Sequence, residues 1–569
     1  MPEFDYVTDV AVVGSGGGLC GAVTAAAAGL ETLVIEKQPR LGGSTAISGG
    51  VLWLPNNPLM QAEGVADSFD DAMAYFDTVV GDAGPASSPA RRAAYVTEGA
   101  AMVRFLQDVG MTFVRCEGYS DYYAGVRGIE GGVARGRSIE ATIFDGRDLG
   151  PWLAKLPTGL TPVVVLTGEV AKLGLVTRSW DGARTAGRVA FRTVGGRLKR
   201  QTLLSNGAAL IGQTLRAALA HEVSIWTDTP IVDLLVDDGH VVGIAATRHG
   251  RTVRIGARHG VLLSSGGFAR NQAMRETYSR QPNAAEWTVA NPGDTGEVIE
   301  MAMALGAAVD CMDEAWWVVT SLAPDGQPPK PGGYAADGTP LPFMHHLDLS
   351  LPYSMMVDQL GERFCDEAGA YMEIGQRMYK RQQQTGKAVP SWVIMDSRQR
   401  AYYPWGTAQP GQVPEEWLKS GYLIKADSID ELVTKTGIDK AGLARTIERF
   451  NGFCRSGVDS DFGRGSRAFD RCHGDPTVTP NPNLGAIEKP PFYAVRMYPG
   501  DVGTAGGVVT DEHARVLRAD GSVIGGLYAT GNCTASVVGR CYPGAGASIG
   551  ASFTFGYIAA HHALGAAVH

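Results

Sequence analysis

Several things are scarce in this chain, and each scarcity removes a class of function. No uninterrupted apolar run reaches the about 18 residues that a membrane-spanning helix needs, so no transmembrane segment is expected. Only eight cysteines occur in 569 residues, without a C-x-x-C pair or other metal-ligand spacing. They read as reduced, mostly packed thiols, and no metal site is expected. Positive charge is in deficit: a net charge of -9 and an isoelectric point near 5.7 argue against a nucleic-acid partner. The first strand begins within ten residues of Met1, with no basic segment and apolar stretch before it, so no secretory leader is expected and the reading is cytoplasmic.

Glycine is plentiful, at 75 residues, and its placement carries the most information. With 44% hydrophobic and 19% charged residues the chain can build a large core and two domains. Asp9 to Gly18, DVAVVGSGGG, is an apolar strand running into a glycine turn, followed by an Ala-rich helix and a second strand, TLVIEK, that ends on Glu36 and Lys37. This is half of a dinucleotide-binding unit: Gly14 and Gly16 allow the turn and close pyrophosphate approach, and Glu36 is placed for ribose hydroxyls. Leu19 stands where the third glycine of G-x-G-x-x-G is usual, and Gly21 follows, so the third contact is open.

Further glycine segments favour FAD over NAD, because a single NAD site would not need them all. They are RLGGSTAISGG (Arg40 to Gly50), GVLLSSGGFARN (Gly260 to Asn271) and GLYATGN (Gly526 to Asn532). With so much glycine, several of these could be ordinary loop positions. The expected FAD contacts are Gly14, Ser15, Gly16, Gly17, Glu36, Lys37, Gly42, Gly43, Ser44, Thr45, Ser48, Gly49, Gly50, Gly266, Gly531, Asn532, Ser548 and Ile549.

The expected fold class is α/β, a Rossmann-like FAD-binding domain interrupted by an α+β catalytic cap. Residues 1–313 and 497–569 would form the first and 314–496 the second. Pro324 to Pro342 is too rich in proline and glycine for a helix or a central strand and reads as a long surface loop. Ser428 and Glu431 form a capping box, and Leu443, Ile447 and Phe450 recur at helical spacing as core positions. Residues 151–200 carry nine basic residues against Glu169 and Asp181, a net +7, beside an apolar run from Pro162 to Leu166. That stretch admits peripheral contact with an anionic membrane; the plainer reading is a solvated insertion.

The motifs GSGGG with Glu36, GGSTAISGGVLWLPNN, GYSDYY (Gly118 to Tyr123), GERFCDEAGAY (Gly361 to Tyr371), PGDVGTAGGVVTD and YPGAGASIG (Tyr542 to Gly550) together resemble the 3-oxosteroid 1-dehydrogenases of the fumarate reductase-like flavoprotein superfamily. The resemblance covers nearly the whole chain. It implies that the Tyr542 hydroxyl and Gly546 N–H bind the carbon 3 oxygen of a 3-oxo-4-ene steroid, that Tyr371 removes the carbon 2 proton, that Tyr122 supports this base, and that flavin N5 takes the hydride from carbon 1. An external, quinone-like electron acceptor is implied as well.

Each tyrosine also has a plain reading as one of 19, mostly half-buried, packing residues. Tyr119 and Tyr123 lie within reach of the role given to Tyr122. A fumarate-type enzyme, a 3-oxosteroid 4-dehydrogenase and a non-catalytic sterol carrier are the alternatives. Arg540 could contact flavin or cap an element, and His561 and His562 read as helix-end residues.

Overall fold

The computed structural model describes residues 3–157, 163–326, 328–329, 333–334, 338 and 340–566. Its first sheet is eight-stranded. The strand Tyr6–Val13 lies between Thr32–Ile35 and Arg251–Leu263, both parallel to it, and Val523–Ala529 runs parallel to Arg251–Leu263 on the far side. Where these strands pair, Val10 to Val13, Leu33 to Ile35, Val261 to Leu263 and Leu527 to Ala529 are buried, largely apolar runs, because both faces are covered there, as parallel sheets require. Val10, Val12 and Val34 pack on one face with the helix Gly18–Ala27, while Ala11, Val13, Leu33 and Ile35 pack on the other.

The departure at Leu19 has a structural reason. A Cβ on Gly18 would come within 2.8 Å of Val12, and one on Gly21 within 2.9 Å of Gly556 O. These two glycines therefore seat the first helix against its strand and against the C-terminal helix Ala547–Ala566, while Leu19 is buried as core.

The second sheet is six-stranded and antiparallel throughout. Its spine is the long strand Phe492–Thr504, paired with Ala315–Ser321 on one side and Ser391–Met395 on the other. The helix Tyr371–Thr385 lies on this sheet at close range, since a Cβ on Gly375 would stand 2.3 Å from Trp317 Cβ. That contact fixes the height at which Tyr371, the first residue of the helix, enters the space between the sheets.

The described part of the 324–342 stretch contains only a two-residue pair, Gly333–Tyr334 with Pro340–Leu341; residues 327, 330–332, 335–337 and 339 lie outside the described residues. Ser428 Oγ accepts from the Glu431 N–H (3.1 Å), but Glu431 reaches back to the Asp427 N–H (2.8 Å), one residue before a standard capping box. Leu443 and Phe450 are buried on the helix Lys440–Ser456, with Ile447 packed beside them. All eight cysteines are free. Among the described residues no helix is long and apolar enough to cross a membrane.

Candidate active site

A cavity of about 1110 Å³ lies between the two sheets, and every residue expected at the site from the sequence lines it. Its floor is made where three strand ends meet. Gly14, Gly266 and Gly531 all adopt left-handed backbone, with φ of +100°, +77° and +74°. A Cβ at any of them would collide, at 2.2 Å from Ser264 O, 2.4 Å from Asp294 Oδ1 and 2.7 Å from Ser552 Oγ respectively. The glycines are there because three backbones converge.

Around this floor the side chains form a polar groove. Glu36 accepts from Ser15 Oγ (2.6 Å), the Ser15 N–H (3.2 Å) and the Gln38 N–H (2.9 Å). Burial pushes its carboxyl up, and these donors pull it back. Lys37 is turned to Glu297 (2.5 Å) and Thr295 (2.6 Å) at the groove edge. Ser44 donates to Asp294 (3.0 Å), whose carboxyl is pushed up to about 7, chiefly by burial. Ser48 is committed to its own turn, donating to Thr45 O (2.7 Å) and accepting from the Gly50 N–H (3.0 Å). This groove fits FAD: a dinucleotide wants a glycine cradle at a helix N-terminus and a carboxylate at the end of the second strand, and both are present.

Above the groove stand three tyrosines. Ring centroids are 5.1 Å apart for Tyr371 and Tyr542, 5.7 Å for Tyr122 and Tyr371, and 5.8 Å for Tyr122 and Tyr542. Tyr122 reaches this group because its loop is tied down: its N–H donates to Pro543 O (3.0 Å), and Asp121 holds Arg137 (2.6 Å) and the Trp53 indole (2.8 Å). Of its neighbours, Tyr119 also reaches the cavity wall. Tyr119 sets its edge on His473 (4.9 Å), and Tyr123 lies under Arg467 (5.5 Å).

Gly544, Gly546 and Gly550 answer to the strand Val51–Trp53 as much as to any ligand. A Cβ on them would stand 2.3 Å from Trp53 Cδ1, 2.2 Å from Val51 O and 2.6 Å from Trp53 O. Gly546 has φ +92° and gives its carbonyl to the Trp53 N–H (3.1 Å) and the Gly550 N–H (2.8 Å), and its own N–H, at the cavity wall, has no protein partner among the described residues. The Tyr542 hydroxyl lies 3.2 Å from Ser548 Oγ.

Burial pushes the Tyr371 phenol well above its ordinary value, and hydrogen-bond contact with Tyr122 and Tyr542 pushes it further. Tyr122 is likewise pushed up by burial, then by Tyr119 and Tyr542, and is drawn back by its contact with Tyr371. The two neighbouring phenols thus hold the Tyr371 proton on in this arrangement.

A family model described as an FAD binding domain matches residues 9–549. Over 97% of its length the chain is 42% identical to a 3-oxosteroid 1-dehydrogenase of Mycolicibacterium smegmatis, covering 96% of it, and 40% identical to one of Mycobacterium tuberculosis, covering 98% of it. The chain belongs to the 3-oxosteroid 1-dehydrogenase family of FAD flavoproteins. A crystal structure of 3-ketosteroid delta1-dehydrogenase from Sterolibacterium denitrificans, in complex with 1,4-androstadiene-3,17-dione, superposes with a TM-score of 0.90 at 35% identity, covering 98% of this chain and 100% of that one.

Sequence reasoning missed several residues that pack around the tyrosines of this family member. Trp316 packs on Tyr542 (5.1 Å) and donates to Asn532 (3.0 Å). Phe469 lies 4.1 Å from Tyr122, and His346 lies 5.8 Å from Tyr371 with its ring held neutral, since burial lowers it to about 4. None of these stands in a glycine or tyrosine motif. Arg540 is turned away to Asp313 (2.7 Å). His562 lies in the last helix, against Tyr528 (2.9 Å).

Proposed function

We propose that the protein is an FAD-dependent 3-oxosteroid 1-dehydrogenase. The observation that carries the reading is the meeting of Tyr371, Tyr542, Tyr122 and the Gly546 N–H at one end of the cavity. Tyr542 and Gly546 supply two donors for one carbonyl oxygen, which acidifies the adjacent carbon 2 and stabilises the enolate as it forms. Tyr371, once deprotonated, takes the carbon 2 proton, and Tyr122 donates to it while it is charged. FAD, when bound, accepts the hydride from carbon 1, so that the carbon 1–carbon 2 double bond is completed.

Two alternatives are weaker on the residues present. A dicarboxylate substrate needs cationic clamps, yet among the described residues the cavity wall holds no arginine, and its lysine, Lys37, is engaged with Glu297. A non-catalytic carrier leaves three clustered phenols without a use. Anaerobic mixing of the yellow holoenzyme with androst-4-ene-3,17-dione tests the reading: bleaching of the flavin band with formation of the 1,4-diene is expected, and bleaching by succinate alone would discard it.

We further propose the division 1–313, 314–496 and 497–569 as flavin domain, cap and flavin domain, with Phe492–Thr504 carrying the chain across the second boundary. The eight free thiols support a reducing, cytoplasmic setting, and an external quinone-like oxidant is the proposed acceptor. Peripheral membrane contact is proposed through the helix Trp180–Leu198. Trp180 (84% exposed), Phe191 (83%) and Leu198 (80%) share one stripe with Arg184 and Arg188, the arrangement of an interfacial helix. Glu169 is already paired with Arg192 (2.8 Å), and Pro162 lies outside the described residues.

A further inference from the structure

Arg91 carries a charge where stability alone would not put one. It stands in the first turn of the helix Pro89–Asp108, the end at which the backbone dipole disfavours a cation, and its side chain is fully buried. Arg137, Arg275 and Arg464, buried as deeply, each hold a carboxylate. Arg91 holds none among the described residues. Its Nη1 donates to Ala86 O and to Ala535 O (3.2 Å), its guanidinium lies over the Phe555 ring (4.6 Å), and its Nε has no acceptor among the described residues. The carboxylates that act on it from further off are engaged elsewhere, Asp511 with Arg515 (2.7 Å) and Glu512 beside His513 (3.8 Å). Burial lowers Arg91 to about 10, so it is still a cation at neutral pH. Such a charge is costly unless something anionic answers it.

Beside it lies the flavin groove. A second, small cavity of about 20 Å³, room for one water, is lined by Arg91 together with Gly531, Asn532 and Ser548. Those three residues line the large cavity as well, so the two spaces share a wall. The Ser548 hydroxyl lies against that of Tyr542 (3.2 Å), and Asn532 accepts from Trp316 (3.0 Å), which packs on Tyr542 (5.1 Å). The shared wall therefore belongs to the end of the groove where the reacting ring must lie. Glu36, the carboxylate suited to the adenosine ribose, is not part of it.

We propose that Arg91 is the counter-charge of the reduced flavin: a buried cation behind the Asn532 and Ser548 wall that favours the anionic reduced cofactor and raises its reduction potential. The inference rests on the reading that places the reacting ring at the tyrosines. A hydride received at N5 adds one negative charge to the cofactor, while the carbon 2 proton goes to Tyr371, so nothing in that exchange neutralises the ring. Away from water a cation acts across a wall of this kind. One without a carboxylate partner stabilises the new anion with no ion pair to break first.

The test compares Arg91→Met and Arg91→Lys with the wild-type holoenzyme, by reductive titration of the bound flavin against a reference dye and by titration with sulfite, which adds to N5 and likewise leaves the ring negative. Neither needs a steroid. Arg91→Met, which fills the space without the charge, should weaken sulfite binding at least about tenfold and lower the reduced-to-oxidised ratio by the same factor, about 30 mV for a two-electron couple. Arg91→Lys should keep most of both. A purely structural Arg91 would change flavin retention or thermal stability and leave potential and sulfite affinity of Arg91→Met at their wild-type values, and that result would overturn the proposal. Where Arg91→Met releases its flavin, the wild type decides: reduction at and below neutral pH should take up one proton per two electrons, and uptake of two sinks the idea. A wild-type potential that follows chloride concentration would give Arg91 to a bound halide and overturn it too. Failure of the active-site reading shows separately, as a wild type whose flavin androst-4-ene-3,17-dione does not bleach.

Discussion

On the proposed mechanism Tyr371 must do what its surroundings resist. Burial and two neighbouring phenols hold its proton on, so the fraction of phenolate rises with pH up to its raised value. We expect log kcat/KM to climb with a slope near +1 across about pH 6–9, and Tyr371→Phe to flatten that slope while lowering kcat by about 10²–10⁴-fold. Tyr122→Phe should keep the slope and cost less, because it removes a donor and leaves the base. Gly546→Ala combines a φ of +92° with a Cβ 2.2 Å from Val51 O. It should move the N–H and lower kcat by about 10²–10³-fold with the flavin still bound, as absorbance of the desalted protein would report. At this scale the sequence was legible wherever a backbone had to do something a side chain forbids. Gly14, Gly266, Gly531 and Gly546 could be picked out for that reason. Trp316, Phe469 and His346 could not, since packing on a tyrosine asks only for an aromatic ring, which any loop can supply.

At the scale of elements, Tyr371 depends on the segment that delivers it. Glu367, four residues earlier, is buried between Arg363 (2.7 Å) and Arg464 (3.2 Å) and accepts from the Met356 N–H (3.0 Å). Burial pushes its carboxyl up, but the two guanidinium groups more than offset this and hold it at about 2. Its folded value lies below its unfolded one, so the stability it contributes, on the order of 3 kcal/mol, is present above the ordinary carboxylate range and lost as pH falls towards 2. Glu367→Gln should cost about 3–5 kcal/mol at neutral pH and blunt this acid limb, read by urea unfolding at several pH values, because Arg464 loses its counter-charge and Arg363 keeps only Asp459 (3.0 Å). The helix Trp180–Leu198 has a separate test: replacing Trp180, Phe191 and Leu198 by Ser should weaken cosedimentation with phosphatidylserine vesicles at least about tenfold. The charge of residues 151–200 was visible in the sequence. Their second role, walling the cavity through Ala186, Val189 and Ala190, was hidden because an inner face of alanines and valines has no periodic signal stronger than ordinary core.

The molecule as a whole is sewn together where the chain passes between its two sheets. Phe492–Thr504 belongs to the antiparallel sheet, yet its Asp501 forms a fully buried ion pair with Arg275 (2.7 Å) on a helix that follows the flavin sheet. Asp501 also accepts from Thr288 Oγ (2.6 Å) and the Gly503 N–H (3.0 Å), so one carboxylate holds three segments. No motif announced this: DVGTAGG looks like a glycine turn, and only the fold sets Arg275 opposite it. Because the pair is desolvated, its value lies less in net attraction than in the penalty for separating its members. Asp501→Asn would leave Arg275 buried without its counter-charge, at about 3–5 kcal/mol, and the strain would fall on the passage between the sheets. The wild-type holoenzyme should therefore lose flavin fluorescence quenching and tryptophan burial in one coincident thermal transition. In Asp501→Asn the flavin should leave first, at a lower temperature than the bulk of the chain unfolds. Coincident transitions in the variant would mean that the flavin groove is held by its own sheet alone. The cavity's position between the sheets makes the first outcome the one the structure favours, because a ligand bound on both sides stabilises the join as long as the join survives.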